Sequence, residues 1–255
     1  MSDTTVRPPA LLPLRARLAM LARLLAIQGS WNYELLLGTG IGFCAEPALR
    51  GLPGGTEGTA YHDALARQSR YFNAHPYLAA VAVGALARAE LDGSPPGQIE
   101  RFRTALCGPL GSVGDRLVWA GWLPFCSFLA LAAFGLGAGA LATLLIFLSV
   151  YNVGHIGLRA WGLSVGWRHG MRVASALGNP VLRQGPRHIA RAAALLAGVA
   201  IPLTLYRIIE PGRALLEGTA MAAAMTVLLV LGGRIEGWRL AFGALLLLVL
   251  VAVLQ

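Results

Sequence analysis

The sequence predicts an all-α integral membrane protein: a polytopic helical bundle with short, broken or re-entrant helices and an amphipathic helix at its N-terminus. Of its 255 residues, 56% are hydrophobic and only 13% are charged, which is far too apolar for a soluble domain. No Asp, Glu, Lys or Arg occurs in the 42 residues between Arg116 and Arg159. As a helix this run would extend ~63 Å, about twice the bilayer core, so we expect two spans joined by a bend at residues 134–139.

The charge distribution indicates a membrane topology rather than a nucleic-acid-binding protein. All 21 basic residues are arginines, the net charge is +9, and the arginines lie in the gaps between apolar runs. Residues 154–191 contain six arginines and no acid, whereas residues 207–217 balance two arginines against two glutamates. Because cytoplasmic loops collect positive charge, the first segment and the N-terminus are expected in the cytoplasm and Gln255 in the periplasm.

The N-terminal arm contains the predicted amphipathic helix. Four leucines recur at i, i+4, i+7 and i+11, a spacing that places them on one helical face: Leu14, Leu18, Leu21 and Leu25. Such a face suits a helix that lies on the membrane or on a partner subunit. A helix on a soluble surface is the alternative.

Two apolar segments follow that are too short to span a bilayer. Leu35 to Leu49 and Leu78 to Leu91 have 15 and 14 residues, below the ~20 of an upright span. We expect them to be re-entrant or buried in protein, since irregular backbone at membrane depth must be covered. Pro76 moves the residue before it out of helical conformation and opens the second segment.

The chain is expected to form one domain, 1–255, with five parts. The parts are the amphipathic arm (1–34), the half-length segments with a glycine-rich loop (35–117), a membrane hairpin (118–153), a basic cytoplasmic segment (154–191) and the C-terminal spans (192–255).

The C-terminal spans are short. Their uncharged runs, 192–206, 218–233 and 240–255, have 15 or 16 residues each, so flanking arginines are expected to reach toward the membrane–water interface.

The glycine-rich stretch from Cys107 to Asp115 is the first candidate site. We expect a loop at membrane depth whose backbone amides and Asp115 carboxylate face a polar solute, with Arg116 or another arginine as the partner of the acid. An ordinary turn between helices is the alternative. The candidate residues here are Gly108, Pro109, Gly111, Gly114 and Asp115.

A second candidate lies in the N-terminal half. Trp31, Asn32 and Glu34 combine an aromatic face with hydrogen-bonding groups, as sugar sites do, although an interfacial tryptophan with helix-capping neighbours is the alternative. Asn73 precedes Pro76 and is a candidate ligand or a helix cap. His75 is assigned no chemistry, because no acid or second base lies near it in sequence.

Motifs of catalysis and of metal or cofactor binding are not found in the sequence. It has no Ser-His-Asp spacing, HExxH, zinc set, dinucleotide fingerprint or P-loop ending. Cys44, Cys107 and Cys126 are widely spaced and are read as buried thiols. We therefore expect no catalytic residue, no metal and no cofactor, and the residues alone indicate a carrier or channel of unnamed solute.

Four motifs together resemble a known family. They are residues 28–34 (QGSWNYE), residues 71–76 (YFNAHP), residues 108–115 (GPLGSVGD), and Tyr151-Asn152 followed by Arg159, Gly162, Gly166 and Gly170. In order and spacing they resemble the IID subunit of the mannose/fructose/sorbose class of sugar phosphotransferase systems. The resemblance covers roughly residues 20–190 and adds Asn152 to the candidate residues of the substrate path or core loops.

The resemblance implies a subunit of the bacterial inner membrane that pairs with a IIC membrane protein. The pair would carry a hexose while soluble IIA and IIB pass on phosphate from phosphoenolpyruvate, and IID itself would not be phosphorylated or act as an enzyme. A trimer of IIC–IID pairs in contact with membrane lipid is implied, and nucleic acid is not a partner. A non-transporting assembly or regulatory protein with the IID fold is the alternative, motivated by the short connection at 207–217, and a self-sufficient channel is the third hypothesis.

Overall fold

The computed structural model describes residues 12–173, 178 and 180–208, and the side chains of all these except 180–183. Within these ranges the regular structure is helical, with isolated β-bridges from Leu36 to Asn32 and Phe72 and no β-strand. The helices are α1 (Leu14–Leu24), α2 (Gly38–Leu49), α3 (Thr59–Gln68), α4 (Ala79–Leu91), α5 (Pro96–Gly114), a π-helical segment (Asp115–Trp122), α6 (Leu123–Gly135), α7 (Ala140–His169) and α8 (Pro180–Ile208), with 3₁₀ turns at Gly55–Glu57 and Gly170–Arg172.

Three of these helical stretches are long and apolar enough to cross a membrane. They are Pro96–Gly135, Ala140–Arg172 and Gln184–Ile208. The first two form the predicted hairpin, and its bend is confirmed at residues 136–139, where Gly137 has a φ of 112°. Arg207 of α8 donates to the carbonyl oxygens of Phe134, near the end of α6, and of Ala138, in the turn, and thereby ties α8 to the bend of the hairpin.

The predicted glycine-rich loop is wrong, because Cys107 to Asp115 is helical. Gly108 and Gly111 adopt ordinary helical conformations with nothing within 4 Å of an added Cβ, so neither glycine is used to make a turn. Pro109 lies inside α5. In hydrocarbon an unpaired backbone group is more costly than a glycine or proline in a helix, so the helix continues through them.

The predicted boundaries after the hairpin also change. Helix α7 runs on past residue 153 to His169, and α8 begins at Pro180, so most of the expected basic segment 154–191 is helix rather than loop. The uncharged run 192–206 lies within α8. The runs 218–233 and 240–255, the connection 207–217 beyond Ile208, and Gln255 lie outside the described residues.

Helix α1 forms as predicted, with two different faces. Its inner face is buried on α2 through Met20 and Leu24. Leu14 and Leu18 of the predicted stripe are exposed, as is Leu25 just after the helix. Leu21, the fourth residue of the stripe, is half-buried against the core, so this chain leaves three of the four leucines uncovered.

The two half-length segments become helices α2 and α4, both surrounded by protein. Eleven of the 13 residues of α4 are buried. It packs most extensively on α7, where a Cβ at Gly166 would lie 2.1 Å from the carbonyl oxygen of Val81 and one at Gly84 would lie 2.5 Å from that of Leu163. These glycines let the two backbones touch, which fixes the position of α7 against the connection that precedes α4.

Two carboxylates hold the short helices together. Glu90 of α4 accepts from Arg67 Nη2 at 2.8 Å and from Gln68 Nε2 at 2.6 Å, both at the end of α3. Glu46 of α2 accepts from Arg23 of α1 at 2.6 Å and from Arg50 and Tyr61. Burial raises the pKa of Glu46, but these hydrogen bonds outweigh burial and hold its pKa below the usual value.

Candidate functional site

A polar and aromatic cluster lies where the connection before α4, the π-helical segment and α7 meet. Pro76 breaks the chain before α4, and α7 presents three polar side chains at a spacing of four residues, which places them on one face. We call these residues the aromatic–arginine cluster: His75, Tyr77, Trp119, Tyr151, Asn152, His155 and Arg159.

Along α7 the hydrogen bonds of the cluster run in one direction. Arg159 can only donate, so its contact at 2.6 Å makes Nδ1 of His155 the acceptor and leaves the proton on Nε2. His155 Nε2 then donates to Asn152 Oδ1 at 2.8 Å, and Asn152 Nδ2 donates to the carbonyl oxygen of Leu148 at 2.6 Å. This chain of donors fixes the tautomer of His155.

Arg159 is buried, and none of the ion pairs found among the described residues includes it. Its Nε donates to the carbonyl oxygen of Leu24 at 3.0 Å, which ties α7 to the end of α1. Its guanidinium carbon lies 4.1 Å from the ring centroid of Tyr77. A carbonyl, an imidazole and an aromatic face therefore stabilise this charge in place of a carboxylate.

Tyr77 is the centre of the cluster. Its hydroxyl lies 2.6 Å from that of Tyr151, and its ring stacks on His155 with centroids 5.1 Å apart. The ring of Trp119 lies 6.2 Å away. Tyr77 thereby joins the connection before α4 to α7 and to the π-helical segment.

His75 has one satisfied and one unsatisfied nitrogen. The backbone N–H of Tyr77 donates to Nδ1 at 3.2 Å, so the proton of the neutral ring is on Nε2. Nε2 is buried and has no hydrogen-bond partner in the described part of the chain. Burial, and then the charge of Arg159, lowers the pKa of His75 to about 4, so the ring is neutral near pH 7.

The helix opposite His75 is adapted to it. A Cβ at Gly114 would lie 2.2 Å from His75 Cβ, so only glycine allows this approach. Directly after Gly114 the helix becomes π-helical for eight residues, a rare geometry that is frequent at functional sites. Trp119 projects from this segment with its ring centroid 5.1 Å from that of His75.

A cavity of about 160 Å³ lies beside the cluster, between the π-helical segment, α7 and α8. Its walls are mostly apolar, and the cluster contributes Tyr77 and His155 to them. It is lined by Tyr77, Leu117, Val118, Trp122, Gly154, His155, Leu158 and Ile189.

Of the residues proposed from the glycine-rich stretch, only Gly114 contacts the cluster. Gly108 and Pro109 are exposed on α5, and Gly111 is half-buried with open space around it. Asp115 begins the π-helical segment and is exposed, while the Nε of its expected partner Arg116 donates to the carbonyl oxygen of Ser112.

The residues proposed in the N-terminal half lie on the surface and organise a turn. Asn32 Oδ1 accepts from the backbone N–H of Glu34 at 3.0 Å and of Leu35 at 2.8 Å, the capping role given as the alternative. Trp31 is 45% exposed and packs edge-on against Tyr33. Glu34 is exposed as well.

The two residues proposed in the sequence motif before α4 differ in exposure. Asn73 is exposed and Pro76 is buried. Asn152, taken from the resemblance, belongs to the cluster itself, whereas Gly114 contacts it from the facing helix. The functional candidates around Tyr77 were therefore only partly anticipated.

Sequence reasoning missed most of the cluster. A usable signal was present on α7, where Tyr151, His155 and Arg159 recur at intervals of four residues in an otherwise apolar region. His75 was set aside because no partner lies near it in sequence; its neighbours Trp119 and Arg159 come from distant helices.

The cluster offers neutral donors, one cation and several aromatic faces, and no carboxylate contacts it among the described residues. The described ranges also contain no group of three or more His, Cys, Asp or Glu side chains placed to hold a metal ion. Together with the three membrane-length helical stretches, the cluster defines a multi-pass helical membrane protein with a partly buried polar site on its spans.

The family follows from comparison with known proteins. The model of the mannose/fructose/sorbose family IID component of the phosphotransferase system matches residues 13–201, and the chain belongs to this family. The resemblance drawn from the four sequence motifs is thereby confirmed.

Curated relatives carry the same description. The chain is 32% identical over 163 residues to the mannose-specific EIID component of Escherichia coli, a match that covers 62% of this chain and 56% of the relative. It is 32% identical over 165 residues to the sorbose-specific EIID component of Klebsiella pneumoniae, covering 62% and 58%. For the fructose permease IID component of Bacillus subtilis the figures are 31% over 157 residues, covering 58% and 54%. The chain spans about half the length of the curated relatives it matches.

Solved structures share the fold. A cryo-EM structure of the mannose transporter ManYZ with the microcin MceA matches with a TM-score of 0.57 and 20% identity, covering 96% of this chain and 98% of that one. A second structure, of a membrane protein, matches with a TM-score of 0.69 and 20% identity over 94% and 96% of the two chains. At this identity the likeness extends to the architecture.

Proposed function

We propose that this chain is the IID membrane subunit of a sugar phosphotransferase permease. It acts with a IIC subunit to translocate a hexose, which IIA and IIB phosphorylate on entry. The observation that carries the proposal is the aromatic–arginine cluster, a donor-rich and acid-free site beside the spans of a IID-family chain. Aromatic faces with a few aimed donors are the groups that bind sugars, and the similar curated proteins are named for mannose, sorbose and fructose.

The uncovered apolar surface supports a membrane partner. The N-terminal stripe of Leu14, Leu18 and Leu25 is exposed, and so are the outer faces of α7 and α8. Lipid covers part of such a surface, and a IIC subunit covers the rest, in a trimer of IIC–IID pairs. The chain has no phosphorylated residue in this scheme, and phosphate passes between IIA, IIB and the sugar.

The distribution of charge supports an orientation in the inner membrane. The end of α7 and the 3₁₀ turn after it carry Arg168 and Arg172, while the turn at 136–139 carries no charge. By the positive-inside rule the end of α7, the start of α5 and the N-terminus lie in the cytoplasm. The turn of the hairpin and the C-terminus lie in the periplasm.

The exposed candidates are assigned to the surface that faces the partner or the solute. Asp115 has no buried partner to lose, so Asp115→Asn should impair uptake more than insertion. Loss of membrane protein in proportion to transport would instead make the carboxylate a folding determinant. Trp31, Asn32, Glu34 and Asn73 belong to this exposed group as well.

The direct test is phosphoenolpyruvate-dependent uptake of labelled mannose, fructose, glucosamine and sorbose. Cells express this chain, a IIC partner, or both, with IIA and IIB present throughout. Uptake only when both membrane chains are present is the expected result, and it names the sugar. Uptake by the purified chain alone in liposomes would favour a self-sufficient carrier. A stable IIC complex without uptake of any of these sugars would favour the regulatory alternative.

A further inference from the structure

His75 combines two properties that are rarely found together in a folded protein. Its side chain is 2% exposed, and its Nε2 donor has no hydrogen-bond partner among the described residues. Most buried donors are paired, because an unpaired one loses its hydrogen bonds to water without replacement. An unpaired donor in the middle of a site therefore needs a reason.

The local structure shows that His75 is held in this state. Its Nδ1 is occupied by the N–H of Tyr77 at 3.2 Å, which directs the remaining proton to Nε2. Gly114 packs against its Cβ, so the ring has no room to withdraw on that side. The nearest charged neighbour is a cation, Arg159, which opposes protonation and supplies no acceptor. The connection and the facing helix together fix a neutral ring with one free N–H.

The neighbouring aromatic ring is accessible. Trp119 is 45% exposed, and its centroid lies 5.1 Å from that of His75 at an interplanar angle of 57°. Trp119 belongs to the π-helical segment, whose wider turn places the indole next to the connection before α4. The pair presents a large aromatic face beside a hydrogen-bond donor.

We propose that His75 Nε2–H donates a hydrogen bond to a hydroxyl oxygen of the hexose in transit, while the sugar ring lies against Trp119. The inference rests on the proposed function and deepens it, since it places one sugar contact on the IID chain itself. In the structure described here the donor is covered, so the sugar reaches it when Trp119 moves with the π-helical segment.

The chemistry of the site favours a neutral sugar over a sugar phosphate. His75 is neutral, and its single N–H matches a single hydroxyl oxygen. The cation nearby, Arg159, is already bound to the Leu24 carbonyl oxygen and to His155 Nδ1. The site is thus suited to the sugar before phosphorylation and not to the phosphorylated product.

Two substitutions distinguish the roles of the two ring nitrogens of His75. In His75→Asn the side-chain oxygen replaces Nδ1 as the acceptor for the Tyr77 N–H, and the distal donor is lost. In His75→Gln the longer amide restores a donor near the position of Nε2. His62→Asn, at an exposed histidine of α3, is the matched control.

The measurement is the KM and Vmax of uptake for the complex with IIC, with the amount of complex in the membrane quantified alongside. We expect His75→Asn to raise KM about three- to tenfold, which is the loss of affinity expected when one hydrogen bond is removed. The KM of His75→Gln should lie within about twofold of the wild-type value. His62→Asn changes neither value. An unchanged KM in His75→Asn overturns the proposal, because the donor then contributes nothing to the affinity for the sugar. Loss of complex in both His75 variants with unchanged KM overturns it in favour of a structural role.

A second measurement follows sugar binding in the wild-type complex itself, and a variant serves only to assign the signal. Histidine labelled with ¹⁵N in the IIC–IID complex in nanodiscs gives an Nε2 resonance for His75, assigned by its loss in His75→Gln or by elimination against the other histidines. Free hexose should shift this resonance and hexose phosphate should not. An unmoved resonance at saturating sugar overturns the proposal. Absence of uptake by the wild-type complex would instead contradict the proposed function. Normal uptake with an unshifted His75 resonance would contradict only the proposed His75 contact.

Discussion

Helix α4 has 13 residues, of which 11 are buried, whereas the most apolar 18-residue stretch of the span Ala140–Arg172 contains no buried residue. Both sequences are apolar, but α4 is surrounded by its own chain, whereas this chain does not cover the N-terminal part of α7. Length explains the difference, because a helix of 13 residues extends ~20 Å and does not reach across the bilayer core. A short helix at membrane depth therefore needs protein around it, and the cost of any change in it depends on packing.

Where the two helices cross, the packing is backbone against backbone. We expect Gly166→Val to have the largest effect, since even a Cβ there would lie 2.1 Å from the carbonyl oxygen of Val81. Backbone atoms have no flexible end that can move away, so the folded protein should not accumulate. Gly157→Ala on α7, with nothing within 4 Å, is the control and should change the free energy of unfolding by less than about 1 kcal/mol. Membrane-fraction yield and melting temperature test both, and equal yields would mean that the crossing is looser than described.

The ion pair at the end of α4 should give the next largest effect. Glu90→Ala leaves Arg67 and Gln68 partly buried without their acceptor, for an expected loss of about 3–5 kcal/mol. Asp92→Ala is the matched control two residues away. Its carboxylate is 47% exposed and pairs with Arg88 on the same helix, so removing it should cost under about 1 kcal/mol. Comparable losses of thermal stability in the two variants would contradict the distinction between buried and exposed pairs.

A fall in pH should act on α1 and α2 before it acts on the spans. The pKa of Glu46 is held below its usual value, so its contribution is complete above the unfolded pKa and is lost as pH falls through the folded one. We expect about 1–2 kcal/mol at neutral pH, from charged hydrogen bonds. Glu46→Gln lacks this contribution at every pH, so the melting temperatures of wild type and variant should converge as pH is lowered below about 4.5. Parallel curves would show that the Glu46 carboxylate does not contribute.

Much of the fold was predictable from hydropathy and helix length. The hairpin, its bend, helix α1 and the two short apolar helices follow from runs of uncharged residues and from a period of 3.6. The loop at Cys107–Asp115 was predicted wrongly, because glycine and proline mark turns in water but are tolerated inside membrane helices. The sequence around Gly108 and Pro109 contains no local signal of this difference.

The site was less predictable than the fold because its contacts are long-range. Asn152 and Gly114 were identified through motifs, yet the partners of His75 come from the π-helical segment and from α7. An i, i+4, i+8 row of polar residues on α7 was the one available signal. Whether such a row lines a site depends on which helix packs against it, and that is fixed by the crossing of α4 and α7.

The smallest effect is expected on the exposed face of the N-terminal part of α7. Leu144 is 53% exposed, whereas Leu163, near the C-terminus of the same helix, is 1% exposed. Leu163→Ala should cost about 2–5 kcal/mol, as in other buried positions. Leu144→Ala removes no contact with this chain's core and exchanges one exposed apolar side chain for another, so the melting temperature in nanodiscs should change little. Assembly with the proposed IIC subunit decides what covers this face. Unchanged assembly in Leu144→Ala indicates lipid, whereas weaker assembly with unaltered stability of this chain would show that the partner subunit packs there and would extend protein coverage from α4 to the hairpin.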